Sequence, residues 1–285
     1  MGKSLLLTGS DGFTGKHFSS VVRARNYEIY NLSSNLVNAK DVAEELKSRH
    51  FDYVVHLAAL AAVTHKNQQE LYDVNLFGTL NLLEALSQQP SPPQKILLAS
   101  SANVYGNAIE SPIYETTEPA PVNHYAMSKL AAEYLARNYH DKLPITIVRP
   151  FNYTGLGQDE RFVIPKLIQH FSASAAEIEL GNISVRREFN DVRSICDIYL
   201  ELVDQAEPEE IYNICSGTTY CLSEIIELLS MLTGHKLEVK VNPALVRKNE
   251  VHELCGDPKK LRTCLDSIAY RPLEETLQWM LAKGG

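Results

Sequence analysis

The stretch Leu5-Leu6-Leu7-Thr8-Gly9-Ser10-Asp11-Gly12-Phe13-Thr14-Gly15 runs from an apolar segment into a helical pattern, Phe18, Val21 and Val22. It predicts a strand, a glycine-rich turn and a helix in immediate succession. In that setting each glycine has its own task. Gly9 permits the tight turn, Gly12 lets backbone approach a diphosphate, and Gly15 lets the helix pack on the strand. The helix N-terminus meanwhile offers unpaired N–H groups and a positive dipole end. Asp11, Phe13 and Thr14 lie between the glycines and become candidate contacts to the same ligand.

Further strand patterns follow at residues 28–32, 53–57, 95–100 and 145–149, with helical patterns between most of them. This alternation is that of a parallel sheet covered on both faces, an α/β doubly wound Rossmann fold. A helix is expected from about Leu71 to Leu86, and Gln89-Pro90-Ser91-Pro92-Pro93 then forms a surface loop. After Pro150 the texture changes, and a smaller C-terminal α/β lobe is expected there. Residues 1–151 are read as the nucleotide-cofactor domain, with 188–217 returning to it, and 152–285 mainly as a substrate lobe.

With 285 residues, 45% of them hydrophobic, the chain is long enough to bury a large core. The formal net charge of −8, without a Lys/Arg block, argues against nucleic acid or an anionic membrane as partner. A phosphate-bearing ligand must then be held by a few placed groups. Cys196, Cys215, Cys221, Cys255 and Cys264 include no CxxC pair and read as reduced thiols of a cytoplasmic protein. The longest apolar stretch, residues 54–63, is far below the ~20 residues of a membrane span. No metal site is expected, because the histidines lack zinc-ligand spacing; His56, inside an apolar strand, reads as a packed, hydrogen-bonded core residue.

Tyr125-Ala126-Met127-Ser128-Lys129 opens a helix shortly after the strand that ends at Ser100. Four residues apart, Tyr125 and Lys129 share one helix face. A neighbouring ammonium favours phenolate and is expected to lower the tyrosine pKa toward working pH, as a general acid/base needs. Ser101, at the carboxyl end of a sheet strand, can hydrogen-bond a carbonyl and polarise it, with Ser100 as the competing hydroxyl.

With these landmarks the chain resembles the extended short-chain dehydrogenase/reductase family, which contains nucleotide-sugar epimerases, dehydratases and reductases. The matching strings are TGSDGFTG (8–15), HLAA (56–59), NLFGTLNLLEA (75–85), SSANVYG (100–106), YAMSK (125–129) and RPFN (149–152). The resemblance implies NAD(P)H as cofactor and Ser101, Tyr125 and Lys129 as catalytic residues, Lys129 also touching the nicotinamide ribose. It places Leu57, Ala58, Ala59, Asn75 and Pro150 along the cofactor. The dehydratase branch carries an acidic residue directly after its Ser/Thr; here Ala102-Asn103 follow, which leaves simple reduction or C4 epimerisation.

Second-lobe strings including FVIPKL (162–167), GNISVRREFNDV (181–192) and NPALVRKNEV (242–251) look most like the GDP-6-deoxy-4-keto-mannose reductase branch. That likeness implies a nucleotide-diphosphate sugar as substrate, with Asn103, Asn152, Val163, Arg187 and Arg247 in contact with it. Arg186 could replace Arg187. Guanidinium groups suit an acidic protein that must neutralise a diphosphate locally. The second strand ends Tyr30-Asn31-Leu32-Ser33-Ser34, with neither an acid for a ribose 2′-OH nor an Arg for a 2′-phosphate. Ser33 is a candidate cofactor contact there, and NADH against NADPH stays open. Family likeness also implies a homodimer through the Tyr125 helix and the long helix before it. The alternatives on the same fold are a C4 epimerase retaining NAD and a non-catalytic nucleotide-sensing protein.

Overall fold

The computed structural model describes residues 2–61, 67–246, 253–265 and 267–283. Its first half runs β1 (Ser4–Thr8), α1 (Phe13–Ala24), β2 (Glu28–Asn31), α2 (Ala39–Leu46), β3 (Tyr53–His56), α3 (Gln68–Tyr72), α4 (Gly78–Ser87), β4 (Lys95–Ala99), α5 (His124–Arg137) and β5 (Ile145–Pro150). The second half adds β6 (Tyr153–Thr154), α6 (Val163–Ser172), β7 (Glu177–Leu180), β8 (Arg186–Arg187), β9 (Asn190–Asp191) and α7 (Val192–Gln205). It closes with β10 (Ile211–Ile214), β11 (Tyr220–Cys221), α8 (Leu222–Thr233), β12 (Glu238–Val241), β13 (Glu253–Leu254), α9 (Lys259–Cys264) and α10 (Leu273–Lys283).

Six strands form one parallel sheet in the order β10-β5-β4-β3-β1-β2. Its strands are apolar on both faces because helices cover both: Leu5 and Leu7 of β1 face the α1/α7 layer, whereas Leu6 faces α2 and α4. The strand order reverses between β1 and β3, and at that switch point the carboxyl ends leave a crevice where open α/β sheets bind ligands. The glycine turn after β1 sits there. The remaining strands make small sheets of two or three, and α6, α8 and α10 enclose a separate apolar cluster built on Ile164, Leu167, Ile225, Leu229 and Leu277.

The helix expected over residues 71–86 contains a feature periodicity does not register. Between α3 and α4, Asp73–Phe77 widen into a π-turn. The extra residue in the turn carries Asn75 inward, fully buried, and such bulges concentrate at functional sites.

Charge is also buried beneath the crevice. Arg149 of β5 makes a two-pronged pair with Glu133 of α5, Nη2 to Oε2 at 2.6 Å and Nε to Oε1 at 3.0 Å, and neither side chain is more than 2% exposed. Ser100 Oγ donates to the same carboxylate. Arg149 Nη1 donates to the Tyr105 hydroxyl at 3.0 Å, which donates in turn to Asn213 Oδ1 at 2.7 Å. The catalytic-helix candidate, two sheet strands and the loop after β4 are thereby joined through one guanidinium. Truncating one member leaves the other charge buried without its counter-ion, so Glu133→Ala is expected to cost about 3–5 kcal/mol of folding stability. Denaturant unfolding of Glu133→Ala beside the apolar double replacement Glu133→Leu/Arg149→Met checks this, the double variant being the less damaged of the two.

Candidate active site

The glycine turn is built as its spacing requires. Gly9 has φ +75°, and a Cβ there would meet the Ala58 backbone nitrogen at 2.6 Å; a Cβ on Gly15 would meet the Gly9 carbonyl oxygen at 2.0 Å. Gly12 is the N-cap of α1, where no side chain caps the helix. The first-turn N–H groups of Phe13 and Thr14 are therefore presented without a side-chain acceptor, as an anion site demands. The residue set fits a dinucleotide diphosphate.

Behind the turn runs a hydrogen-bond relay whose direction is fixed by its ends. The Ala58 N–H donates to Thr8 Oγ1 at 3.2 Å, and Thr79 Oγ1 donates to the Asn75 carbonyl at 2.7 Å. His56 lies between them, Nδ1 2.6 Å from Thr8 Oγ1 and Nε2 2.9 Å from Thr79 Oγ1. Since the Thr79 proton is used on Asn75, its oxygen accepts from His56 Nε2–H, and in the neutral ring Nδ1 then accepts from Thr8. Only a neutral imidazole fits. Burial, reinforced by the Lys129 charge, holds His56 down at about 3. The relay ends at Asn75, whose side chain holds the backbone N–H of Leu60 at 2.8 Å and donates to Ser128 Oγ at 3.0 Å. Asn75 thus fastens the loop after β3, with Leu57, Ala58 and Ala59 half-exposed along it, to the helix of Tyr125.

Ser101 and Tyr125 lie together at the carboxyl edge of β4, with Lys129 one turn further along α5. Ser101 Oγ accepts from the Asn103 backbone N–H at 3.2 Å and from Asn103 Nδ2 at 3.0 Å, and it hydrogen-bonds Tyr125. With both acceptor directions filled by Asn103, the Ser101 proton is left for the Tyr125 oxygen. Ser100, the competing hydroxyl, is instead spent on Glu133. Asn103 lies against the serine, and Asn152 and Pro150 stand half-exposed where β5 ends.

The electrostatics of Tyr125 differ from the sequence expectation. Burial dominates and pushes its pKa up, the Ser101 hydrogen bond opposing, and Lys129 is not what sets it. The ammonium is itself desolvated. Burial pulls Lys129 down to about 8 against the opposing pull of Glu133, one turn further along the same helix face. The phenol is therefore held protonated at neutral pH.

Other sequence-picked residues fall as follows. Asp11 is exposed, and Phe13 stacks on Tyr153 with ring centroids 6.1 Å apart. Thr14 Oγ1 lies 2.8 Å from the Tyr153 hydroxyl. Ser33 is bound to Glu45. Val163 opens α6 and packs on the second-lobe cluster. Of the arginine pair, Arg186 is held by Thr219 and Glu224, whereas Arg187 Nη1 donates to the Arg186 carbonyl. Arg247 lies outside the described residues. Sequence reading missed Glu133 and Arg149, though Tyr125, Lys129 and Glu133 share one face at spacing four. It also missed Tyr153, for which no spacing signal exists.

Residues 29–280 match the family model described as GDP-mannose 4,6 dehydratase. The chain belongs to this family. It is an enzyme-type member of the nucleotide-sugar oxidoreductases and epimerases among extended short-chain dehydrogenases/reductases. Over 266 residues it is 36% identical to GDP-6-deoxy-D-talose 4-dehydrogenase of Aggregatibacter actinomycetemcomitans, covering 92% of this chain and 90% of the relative. It is 33% identical to GDP-6-deoxy-D-mannose reductase of Pseudomonas aeruginosa, covering 95% and 93%. The structure of RMD from Pseudomonas aeruginosa complexed with NADPH superposes with a TM-score of 0.90 at 31% identity, covering 99% of this chain and 97% of that one. Among the described residues no helix is long and apolar enough to cross a membrane, and no cluster of His, Cys, Asp or Glu could hold a metal ion.

The relay makes a stability prediction. The unfolded chain protonates His56 near its ordinary pKa of about 6.5, while the folded chain resists protonation to about 3. The unfolded state thus binds the extra proton as pH falls through that window, and folding stability declines. In His56→Asn this component of the slope should vanish, as measured by denaturant unfolding at a series of pH values from 7 downward.

Proposed function

We propose that this chain uses NAD(P)H to reduce the 4-keto group of a nucleotide-linked 4-keto-6-deoxy sugar of the GDP-6-deoxy-4-keto-mannose kind. The observation that carries the reading is the Ser101/Tyr125 pair of hydroxyls with Asn103 filling the acceptor side of Ser101. The two hydroxyls stand side by side, and no acidic side chain follows Ser101 to remove water from the neighbouring carbons. The mannose reductase and talose dehydrogenase relatives support a 4-position on a GDP-linked 6-deoxy sugar, the two names describing opposite directions of one kind of redox change.

The uncapped start of α1 and the glycines would hold the cofactor diphosphate, with Asn75, Leu57–Ala59 and Pro150 along its length. When bound, the nicotinamide supplies the hydride that adds to carbon 4. Ser101 donates a hydrogen bond to the carbonyl oxygen and Tyr125 transfers its phenolic proton to it as the alcohol forms. A phenol kept protonated by burial is a donor suited to this direction. Lys129 stabilises the phenolate left behind until solvent returns the proton. Residues 1–151 with 188–217 form the cofactor part, and 152–285 mainly the sugar-nucleotide part, where Asn152, Val163, Arg187 and Arg247 would contact substrate. The free thiols suit a cytoplasmic setting. Exposed Phe77, Met127 and Tyr134 on and beside α4 and α5 support a homodimer through those helices, so solution mass should equal two chains.

The direct test offers GDP-, dTDP-, CDP- and UDP-linked 4-keto-6-deoxy sugars with NADH or NADPH and follows nicotinamide oxidation. Stoichiometric oxidation with formation of the alcohol is expected for a GDP sugar. Conversion of a 4-hydroxy sugar nucleotide to its epimer without added reductant would replace the reading by epimerisation. Tyr125→Phe should lower turnover by roughly 10²–10⁴-fold; unchanged turnover would sink the assignment. Lys129 carries its charge below its pKa of about 8 and loses it above. Reductive kcat/KM should therefore fall as pH rises through that value, a limb absent from the residual activity of Lys129→Met.

A further inference from the structure

The loop after β2 contains an interaction with no part in the chemistry above. Glu45, near the end of α2, reaches back across this loop and collects five hydrogen bonds. Ser33 donates to it through its backbone N–H and its hydroxyl, both at 2.9 Å. The Ser34 N–H donates at 2.7 Å and the Ser34 hydroxyl closes on the same oxygen. The Tyr30 hydroxyl adds a fifth at 2.8 Å, while Arg49 lies over the Tyr30 ring, 4.2 Å from its centroid. Burial on its own would raise the carboxyl pKa, but the hydrogen bonds from Ser34, Ser33 and Tyr30 outweigh it and hold it at about 2. Glu45 is thus ionised throughout the working range.

The position of this carboxylate matters. β2 pairs with β1 in parallel, Leu7 opposite Asn31, so Ser33 and Ser34 lie just past the carboxyl end of the strand beside the glycine turn. In a doubly wound sheet that place, about 20 residues beyond the glycines, is where an acid meets the adenosine ribose 2′-OH or a cation meets a 2′-phosphate. Asn31 to Asn38 contain neither Lys nor Arg. What the loop offers an anion is backbone N–H and hydroxyl groups, and Glu45 has taken those of Ser33 and Ser34.

We propose that Glu45 makes this chain prefer NAD(H) to NADP(H), because its carboxylate occupies the donors a ribose 2′-phosphate would need and opposes that phosphate's charge. The inference rests on the nicotinamide reading above. It gives the acid missing from the end of β2 a source in the following helix. Glu45 is a positioning residue: its oxygens are filled by the loop, so it shapes and charges the ribose subsite rather than gripping the sugar.

Fluorescence titration of the full-length chain with NADH and with NADPH tests it without any sugar substrate. The unmodified chain should bind NADH roughly tenfold or more tightly than NADPH, since a doubly charged phosphate would face a like-charged carboxylate and find its donors already taken. Glu45→Gln keeps the size and most of the hydrogen bonds while removing the charge, and should narrow that ratio mainly by tightening NADPH. Ser34→Ala removes one hydroxyl but leaves the charge, and should keep the preference for NADH; a thermal melt of each variant establishes that it is folded. Equal or tighter binding of NADPH by the unmodified chain, or a ratio unmoved in folded Glu45→Gln, overturns the role of Glu45 and leaves the oxidoreductase reading standing. Binding of neither nucleotide overturns both.

Discussion

The Arg149–Glu133 pair is the constraint on which the site's geometry rests. Two charges removed from water lose several kcal/mol of hydration each, and only close, correctly oriented partners recover it. The pair meets that demand with two parallel hydrogen bonds, and Ser100, Tyr105 and Asn213 occupy the remaining valences. A buried network so fully satisfied has one low-energy arrangement. α5 can neither slide nor rotate against β5 without leaving a charge unpaired, and α5 is the helix that carries Tyr125 and Lys129. Glu133 also opposes the loss of charge that burial imposes on Lys129. One carboxylate therefore fixes both the place of the helix carrying Tyr125 and Lys129 and part of its electrostatics.

The neutral imidazole of His56 performs a similar service for the other wall of the crevice. Through Thr8 it touches the strand that feeds the glycine turn; through Thr79 and Asn75 it touches the π-turn; through Asn75 it reaches Ser128 of α5. A charged imidazole would have no acceptor left for Thr8. Beyond β5 Glu188 does comparable work, taking N–H groups from Ser216 and Gly256 and an amide from Asn190, so segments distant in sequence converge on one carboxylate.

The fold was largely legible in the sequence because its signals are local. Strands 4–8, 53–56 and 95–99 are apolar runs bounded by turn residues, and the glycine turn carries its own steric logic. The relation between Tyr125 and Lys129 was legible too, since helical spacing alone puts them on one face. What escaped were interactions between segments far apart in the chain. Nothing in the spacing of Glu133 and Arg149, or of Thr14 and Tyr153, announces that tertiary packing will join them. The sign of the Tyr125 shift escaped for a related reason: helical spacing brings the Lys into view, but the burial of the phenol, which only tertiary packing decides, dominates. Glu45 was invisible because an acid was sought on the strand end itself, whereas it arrives from the next helix.

The π-turn at Asp73–Phe77 has a bearing on how this chain can change. An ordinary helix advances its side chains by a constant angle, so one added residue re-phases everything downstream. Here the phase jump is already spent in the turn, and α3 and α4 present different sides to their neighbours. Removing a single residue would restore a regular helix at no local expense in backbone bonding, yet it would swing Asn75 out of the crevice wall. Substitutions along this segment that keep Asn75 are thus tolerable by degrees, while changes of length are all-or-none. The crevice wall is in this place encoded by a residue count as much as by the identity of Asn75.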